Sequence, residues 1–226
     1  MIDLFELEGV AKNLIMDFQA NKDEIRALIA QVAPYLDLEV GKTIIYADMF
    51  CGDPSARNHR LSLFVIMYEE CEALRNDESM AYDLFMTAYV NSSNIYKQLQ
   101  DTPFDIRGFL EQIHEKVNIE SKLNETSRPF FDQLPNTFEV YRGLSKNEKD
   151  DGQLGVSWTL DDTYAERYLY LKDNEVEGDI GYVASITIEK KDVISVQYEY
   201  HNNECYFEIL ALKNEGVKFR EVVIKR

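Results

Sequence analysis

The sequence predicts an α+β protein with its helices first and its strands last. Three observations carry this. Apolar residues recur at helical spacing through the first half, β-branched and aromatic residues gather into short runs through the second, and the two regimes meet near residue 125. We expect a helical region over 1–125 and a strand-rich domain over 136–226.

Leu7, Val10, Ala11, Leu14 and Phe18 follow the i, i+3, i+4 pattern, as do Ile25, Leu28, Ile29 and Val32. Asn21 is the expected N-cap of that second helix, with Asp23 and Glu24 in its first turn. Pro34 and Gly41 interrupt the chain, and Leu61–Met67 and Met80–Tyr89 read as further helices. Ile106, Phe109, Leu110, Ile113 and Val117 line one more amphipathic face, and the polar stretch Asn118–Arg128 reads as a linker. Strands are expected at Phe138–Tyr141, Tyr182–Ile188, Val193–Tyr198, Cys205–Leu212 and Lys218–Ile224, with one helix at Asp162–Leu171.

The chain has 226 residues, 24 basic and 41 acidic, for a net charge of −17. That charge argues against partners held by a general basic field, so nucleic acid and anionic lipid are disfavoured. No apolar run reaches the eighteen or so residues of a membrane span. The acidic start MIDLFELEGV does not read as a signal peptide, and the three scattered cysteines, Cys51, Cys71 and Cys205, suit reduced thiols; a cytoplasmic location is expected. Residues 135–226 carry 12 basic and 18 acidic side chains against 12 and 23 in residues 1–134, so the strand-rich part is the less hostile to an anionic ligand.

Three short signals in the second half carry chemistry. The first is Tyr141-Arg142-Gly143-Leu144 at a strand end. A guanidinium there can present its fork to a phosphate, with Gly143 admitting a ligand close to the backbone; the alternative is a surface ion pair and a turn glycine. The second is Gly155-Val156-Ser157-Trp158-Thr159 before the Asp162–Leu171 helix. Thr159 and Asp162 have capping-box spacing, which assigns Thr159 a structural task, while Ser157 can bridge a ligand and a carboxylate. Trp158, the sole tryptophan, reads first as a core anchor and second as a stacking surface. The third is Glu204–Leu210. Period two puts Cys205, Phe207 and Ile209 on one face and Glu204, Tyr206 and Glu208 on the other, so Glu208 projects from mid-strand opposite the core; a solvated sheet face is the alternative.

Taken in order, these motifs resemble the R-S-E class of ADP-ribosyltransferases, and are similar to its small bacterial and phage-encoded members. The Tyr-Arg-Gly, Ser-Trp-Thr and Phe-Glu-Ile-Leu segments, with the strand entered through Lys191-Asp192-Val193-Ile194, carry the likeness over residues 136–226. The resemblance implies an ADP-ribosyltransferase-like split β-sandwich with an NAD cleft. It also implies a mono-ADP-ribosyltransferase that takes NAD as co-substrate, needs no metal, releases nicotinamide and modifies a macromolecule. Arg142 would bind a phosphate or ribose, Gly143 would offer backbone groups to the nicotinamide amide, Ser157 would hold the ribose and orient the glutamate, and Glu208 would be the catalytic carboxylate. Trp158 and Thr159 complete the implied cofactor-binding set.

Family members that modify arginine carry Glu or Gln two residues before the catalytic Glu. Here that position is Tyr206, and Glu204 on the same face is the candidate substitute. The segment Tyr198–Asn203 corresponds to the family's acceptor-selecting loop, so Tyr200, Glu204 and Tyr206 are the expected acceptor-binding residues. Acidity fits a protein acceptor with a basic surface. Two other functions remain open on sequence: NAD hydrolysis with water as acceptor, and a non-catalytic binding or decoy protein in which the helical half engages a basic partner.

Overall fold

A computed structural model describes residues 20–36, 59–90, 92, 98, 104–152, 154–171, 180–201, 204–213 and 215–224, with the side chains of 32, 34–36, 171, 198–201 and 204–206 outside that description. The expected amphipathic stretch Leu7–Phe18 also lies outside it. The chain divides into two compact units at Ile106/Arg107. The architecture is α+β, with helices in both units and six antiparallel strands in the second. No helix among the described residues is long and apolar enough to cross a membrane.

The first unit contains α1 (Lys22–Leu36), α2 (Arg60–Glu70), α3 (Glu72–Asn76) and α4 (Glu78–Val90). Asn21 precedes α1 as expected, and its carbonyl accepts from Ile25 N at 2.9 Å. Eight consecutive residues of α2, Arg60 through Met67, are buried, so this helix is covered on all sides rather than along one stripe. Ile25 and Ile29 of α1 and Phe85 and Tyr89 of α4 are buried as well. Phe64 meets Phe85 edge to face at 5.4 Å between ring centroids, a favoured aromatic geometry.

The second unit contains α5 (Ile106–Lys116), α6 (Ile119–Lys122), α7 (Ser127–Gln133), β1 (Thr137–Ser145), α8 (Lys146–Asp151), β2 (Ser157–Thr159), α9 (Asp162–Leu171), β3 (Ile180–Glu189), β4 (Val193–His201), β5 (Glu204–Ala211) and β6 (Lys218–Val223). Residues 107–133 thus belong with the strands. The expected linker Asn118–Arg128 contains α6 and the start of α7, because Asn124 Oδ1 accepts from the amides of Thr126 and Ser127 and satisfies donors a linker would leave to water. Arg107 donates to the Leu212 carbonyl, and Phe131 and Leu134 enter the sheet's own core. A change in periodicity marks where strands begin, not which core a helix covers.

The strands form one sheet in the order β4-β5-β2-β1-β3-β6. One face, with Val140, Leu144, Trp158, Ile186 and Ile209, packs with Phe131 and Leu134. The other receives α9, whose Ala165 and Leu169 meet Val183, Val222 and Ile224. β1 pairs with β3 over nine residues but with β2 only at Tyr141↔Thr159. The sheet is therefore two three-stranded halves joined at a single register pair, and the cleft described below lies at that joint.

The end of β4 and the segment after β1 differ from expectation. β4 runs to His201 and pairs His201 with Glu204, so residues 198–201 are strand and not loop. Alternating Tyr198 and Tyr200 suit a pleated ladder, and two residues separate the paired ends. The segment after β1 contains a short helix, α8, capped by Ser145 Oγ, which accepts from Glu148 N at 3.2 Å.

Candidate functional site

At the joint lies a cleft open to solvent, lined by Tyr141, Arg142, Gly143, Ser157, Trp158, Thr159, Tyr164, Ala165, Tyr168 and Glu208. Arg142, Gly143, Ser157, Trp158, Thr159 and Glu208, separated by up to 66 positions in the chain, all contribute to it.

Register and pleat explain how they meet. Thr159 of β2 stands opposite Glu208 of β5, and Ser157 opposite Leu210, so Ser157, Thr159 and Glu208 share a face. Trp158 and Ile209 point to the other face and are buried in the core. Ser157 Oγ donates a hydrogen bond to Glu208 Oε1. Such a bond, to an ionised acceptor, is stronger than a neutral one and fixes which way the carboxylate turns.

Arg142 reaches the cleft by a different route. It alternates with Tyr141 and Gly143 and so leaves β1 on the face of Val140 and Leu144. Past Tyr141↔Thr159 the two strands have no further register pair, and the guanidinium lies in the gap. Nη1 donates to the Ser157 carbonyl at 2.9 Å, taking the place of a ladder amide. Nε and Nη2 donate to Glu148 Oε1 at 3.0 and 2.8 Å. The pair is shielded, the side chains being 12% and 8% exposed. The ion pair is therefore shielded beside an interior strand rather than on the surface, and Arg142 also lines the cleft.

The two glycines beside Arg142 have packing reasons. A Cβ on Gly143 would lie 2.2 Å from the Ala165 carbonyl oxygen, so the missing side chain admits α9 to the sheet. A Cβ on Gly155 would lie 2.6 Å from Arg142 Nη2, so that glycine makes room for the guanidinium.

Thr159 is not the cap of α9. Asp161 Oδ1 accepts from the amides of Thr163 and Tyr164 at 2.8 and 3.1 Å, and its carbonyl takes the first helical bond from Ala165. Thr159 Oγ1 accepts from Asp161 N at 3.2 Å and so supports the cap from behind. The Thr-x-x-Asp spacing is present, but the chain enters the helix two residues later.

Trp158 is 2% exposed, and its indole nitrogen has no hydrogen-bond partner among the described residues. The core-anchor reading accounts for its ring. Tyr200, Glu204 and Tyr206 lie on β4 and β5, and their side chains fall outside the described residues.

Sequence reasoning missed three contributors. Tyr164 and Tyr168 enter the cleft from α9, four residues apart on one helix face, a spacing that also suits plain core packing. Glu148 was missed although Ser145-x-x-Glu148 has capping-box spacing; only one half of that box forms, because the Glu148 side chain turns to Arg142. At the rim, Tyr141 donates to Glu139 Oε2 at 3.0 Å, and this bond holds the phenol above the usual tyrosine range, keeping it neutral.

The arrangement can do particular chemistry. A hydroxyl-oriented carboxylate faces a cleft rimmed by tyrosines, while the Arg142 guanidinium has its charge balanced by Glu148. Such a site is suited to stabilising positive charge that develops on a bound molecule. Comparison with known proteins finds no matching family model, no matching curated protein and no matching solved structure.

Proposed function

We propose that the chain is a cytoplasmic mono-ADP-ribosyltransferase that moves ADP-ribose from NAD to a macromolecular acceptor and releases nicotinamide. One observation carries the reading: Glu208 receives the Ser157 hydroxyl within a cleft that Arg142 also lines. Three side chains drawn from three separate motifs, in the order the resemblance demands, contribute to one concavity. The single-pair joint between two halves of the sheet supports the split-sandwich form of that fold.

In this reading the bond between the ribose C1′ and the pyridinium nitrogen breaks. Its electron pair goes to the nitrogen, so nicotinamide leaves neutral and needs no general acid. Positive charge develops on the sugar, as in glycoside cleavage, and the Glu208 carboxylate stabilises it. The acceptor nucleophile then bonds to C1′ and gives up its proton. In this reading Gly143 and Ser157 contact the nicotinamide ribose end, and Tyr164 and Tyr168 supply ring surface nearby. Among the described lining residues the one arginine is already paired with Glu148, so the anionic pyrophosphate meets a balanced charge there. The net charge of −17 favours a protein acceptor with a basic surface, and the helical unit is read as the part that engages it.

The test is incubation with labelled NAD and cell lysate, comparing wild type with Glu208→Gln. Label on a discrete protein band in wild type, falling about 10²-fold or more in the variant, is expected. Free ADP-ribose without a labelled band would mean hydrolysis instead, and an equal signal from both proteins would remove Glu208 from its role.

A further inference from the structure

Glu148 is a buried carboxylate that none of the sequence motifs contains. Its Oε1 accepts three hydrogen bonds: from Arg142 Nε at 3.0 Å, from Arg142 Nη2 at 2.8 Å and from Gly155 N at 3.2 Å. Its own amide is anchored to Ser145 Oγ at the end of β1. One oxygen therefore holds the guanidinium and the approach to β2 together. Arg142 passes the constraint on through Nη1 to the Ser157 carbonyl, and the Ser157 hydroxyl ends on Glu208. The chain of contacts runs Glu148, Arg142, Ser157, Glu208.

Charge points the same way. Among the described cleft-lining residues, Arg142 is the only basic side chain and Glu208 the only acidic one. With Glu148 against the guanidinium, the three groups together carry one net negative charge. Without the Glu148 charge they would carry none, and a buried cation would stand unbalanced beside the site where positive charge is to develop.

Resting on the transferase reading above, we infer that Glu148 is a positioning residue that fixes the Arg142 fork and, by balancing its charge, trades affinity for the anionic end of the substrate against turnover. Two effects of opposite sign follow for Glu148→Gln. The variant keeps an oxygen that can accept from Arg142 but loses the charge. The guanidinium then attracts pyrophosphate more strongly and opposes the sugar cation. Turnover falls about tenfold, the scale of one charge-assisted partner, while the dissociation constant for ADP-ribose tightens severalfold. A residue needed only for packing would weaken both.

The experiment uses the full chain and measures nicotinamide release from NAD and ADP-ribose binding by calorimetry. Emission of the buried Trp158 serves as the check on folding. Glu148→Asp is the second variant: it keeps the charge on a shorter arm, so it loses turnover without gaining affinity for ADP-ribose, and it carries the test if Glu148→Gln does not fold. Slower turnover with tighter ADP-ribose binding in Glu148→Gln, and slower turnover alone in Glu148→Asp, is the expected result. An active wild type whose variants match it, or lose turnover and affinity together, overturns the role of Glu148 alone. A folded wild type that neither binds ADP-ribose nor releases nicotinamide overturns the transferase reading, and this inference with it.

Discussion

Ser157 and Glu208 stand 51 positions apart in the chain and meet through a hydrogen bond from the serine hydroxyl to the glutamate carboxylate. They sit diagonally on β2 and β5, on the face away from the Trp158 core. A hydrogen bond to a charged group contributes about 1.5–3 kcal/mol. On the transferase reading, in which that bond holds the carboxylate in its working direction, Ser157→Ala lowers nicotinamide release by roughly ten- to a hundredfold. Because Ser157 is only half-buried, the loss of stability should fall at or below the low end of that energy range. Steady-state kinetics beside a urea titration checks both halves; a normal rate in a normally folded variant would deny the orienting role.

Gly143 tests the packing of α9 on the sheet. A methyl group there would collide with the Ala165 backbone carbonyl, which cannot rotate away as a side-chain tip could. Gly143→Ala should cost about 1–3 kcal/mol, the range for overpacking, and should displace the helix that carries Tyr164 and Tyr168. Chemical denaturation measures the cost, and a variant as stable as wild type would mean α9 sits further from β1.

The start of α9 separates two caps that sequence spacing confuses. Asp161→Ala removes the acceptor for two helix amides and should destabilise by about 1 kcal/mol. Thr159→Ala removes one longer contact and should cost less. Thermal unfolding of the two variants side by side decides it, and the reverse ranking would restore Thr159 as the cap.

His59 gives the helical unit a pH dependence. Burial pushes its pKa below the ordinary histidine value of about 6.5, since desolvation penalises the imidazolium. The unfolded chain therefore binds this proton first. The contribution to stability is complete above the unfolded pKa and is lost as pH falls from there through the lower folded pKa. His59→Gln should flatten that part of the slope. Urea midpoints between pH 7.5 and pH 5 for both proteins measure it, and parallel profiles would show that His59 titrates alike in both states.

Much of the second unit was legible in the sequence because pleat and helix periods are local. The Asp162–Leu171 helix, the β3 and β5 cores and the orientation of Glu208 away from Ile209 follow from alternation alone. What misled was also local. Thr159 has the spacing of a cap, yet the turn lets Asp161 reach the helix amides first. The polar run 118–128 looks like a linker, yet Asn124 gathers the donors that let α7 begin.

By itself the sequence determined the class of the protein, the passage from helices to strands and the face on which Glu208 projects. Those depend on side-chain size, charge and period within a few residues. Only the tertiary structure decided that β1 and β2 join at one pair, that the Arg142 guanidinium fills the gap beyond it, and that Glu148 balances its charge. Those are relations between strands and a helix distant in the chain or turned toward one another across a gap. No local pattern encodes them, because the free energy of a buried ion pair depends on which groups surround it once the chain has closed.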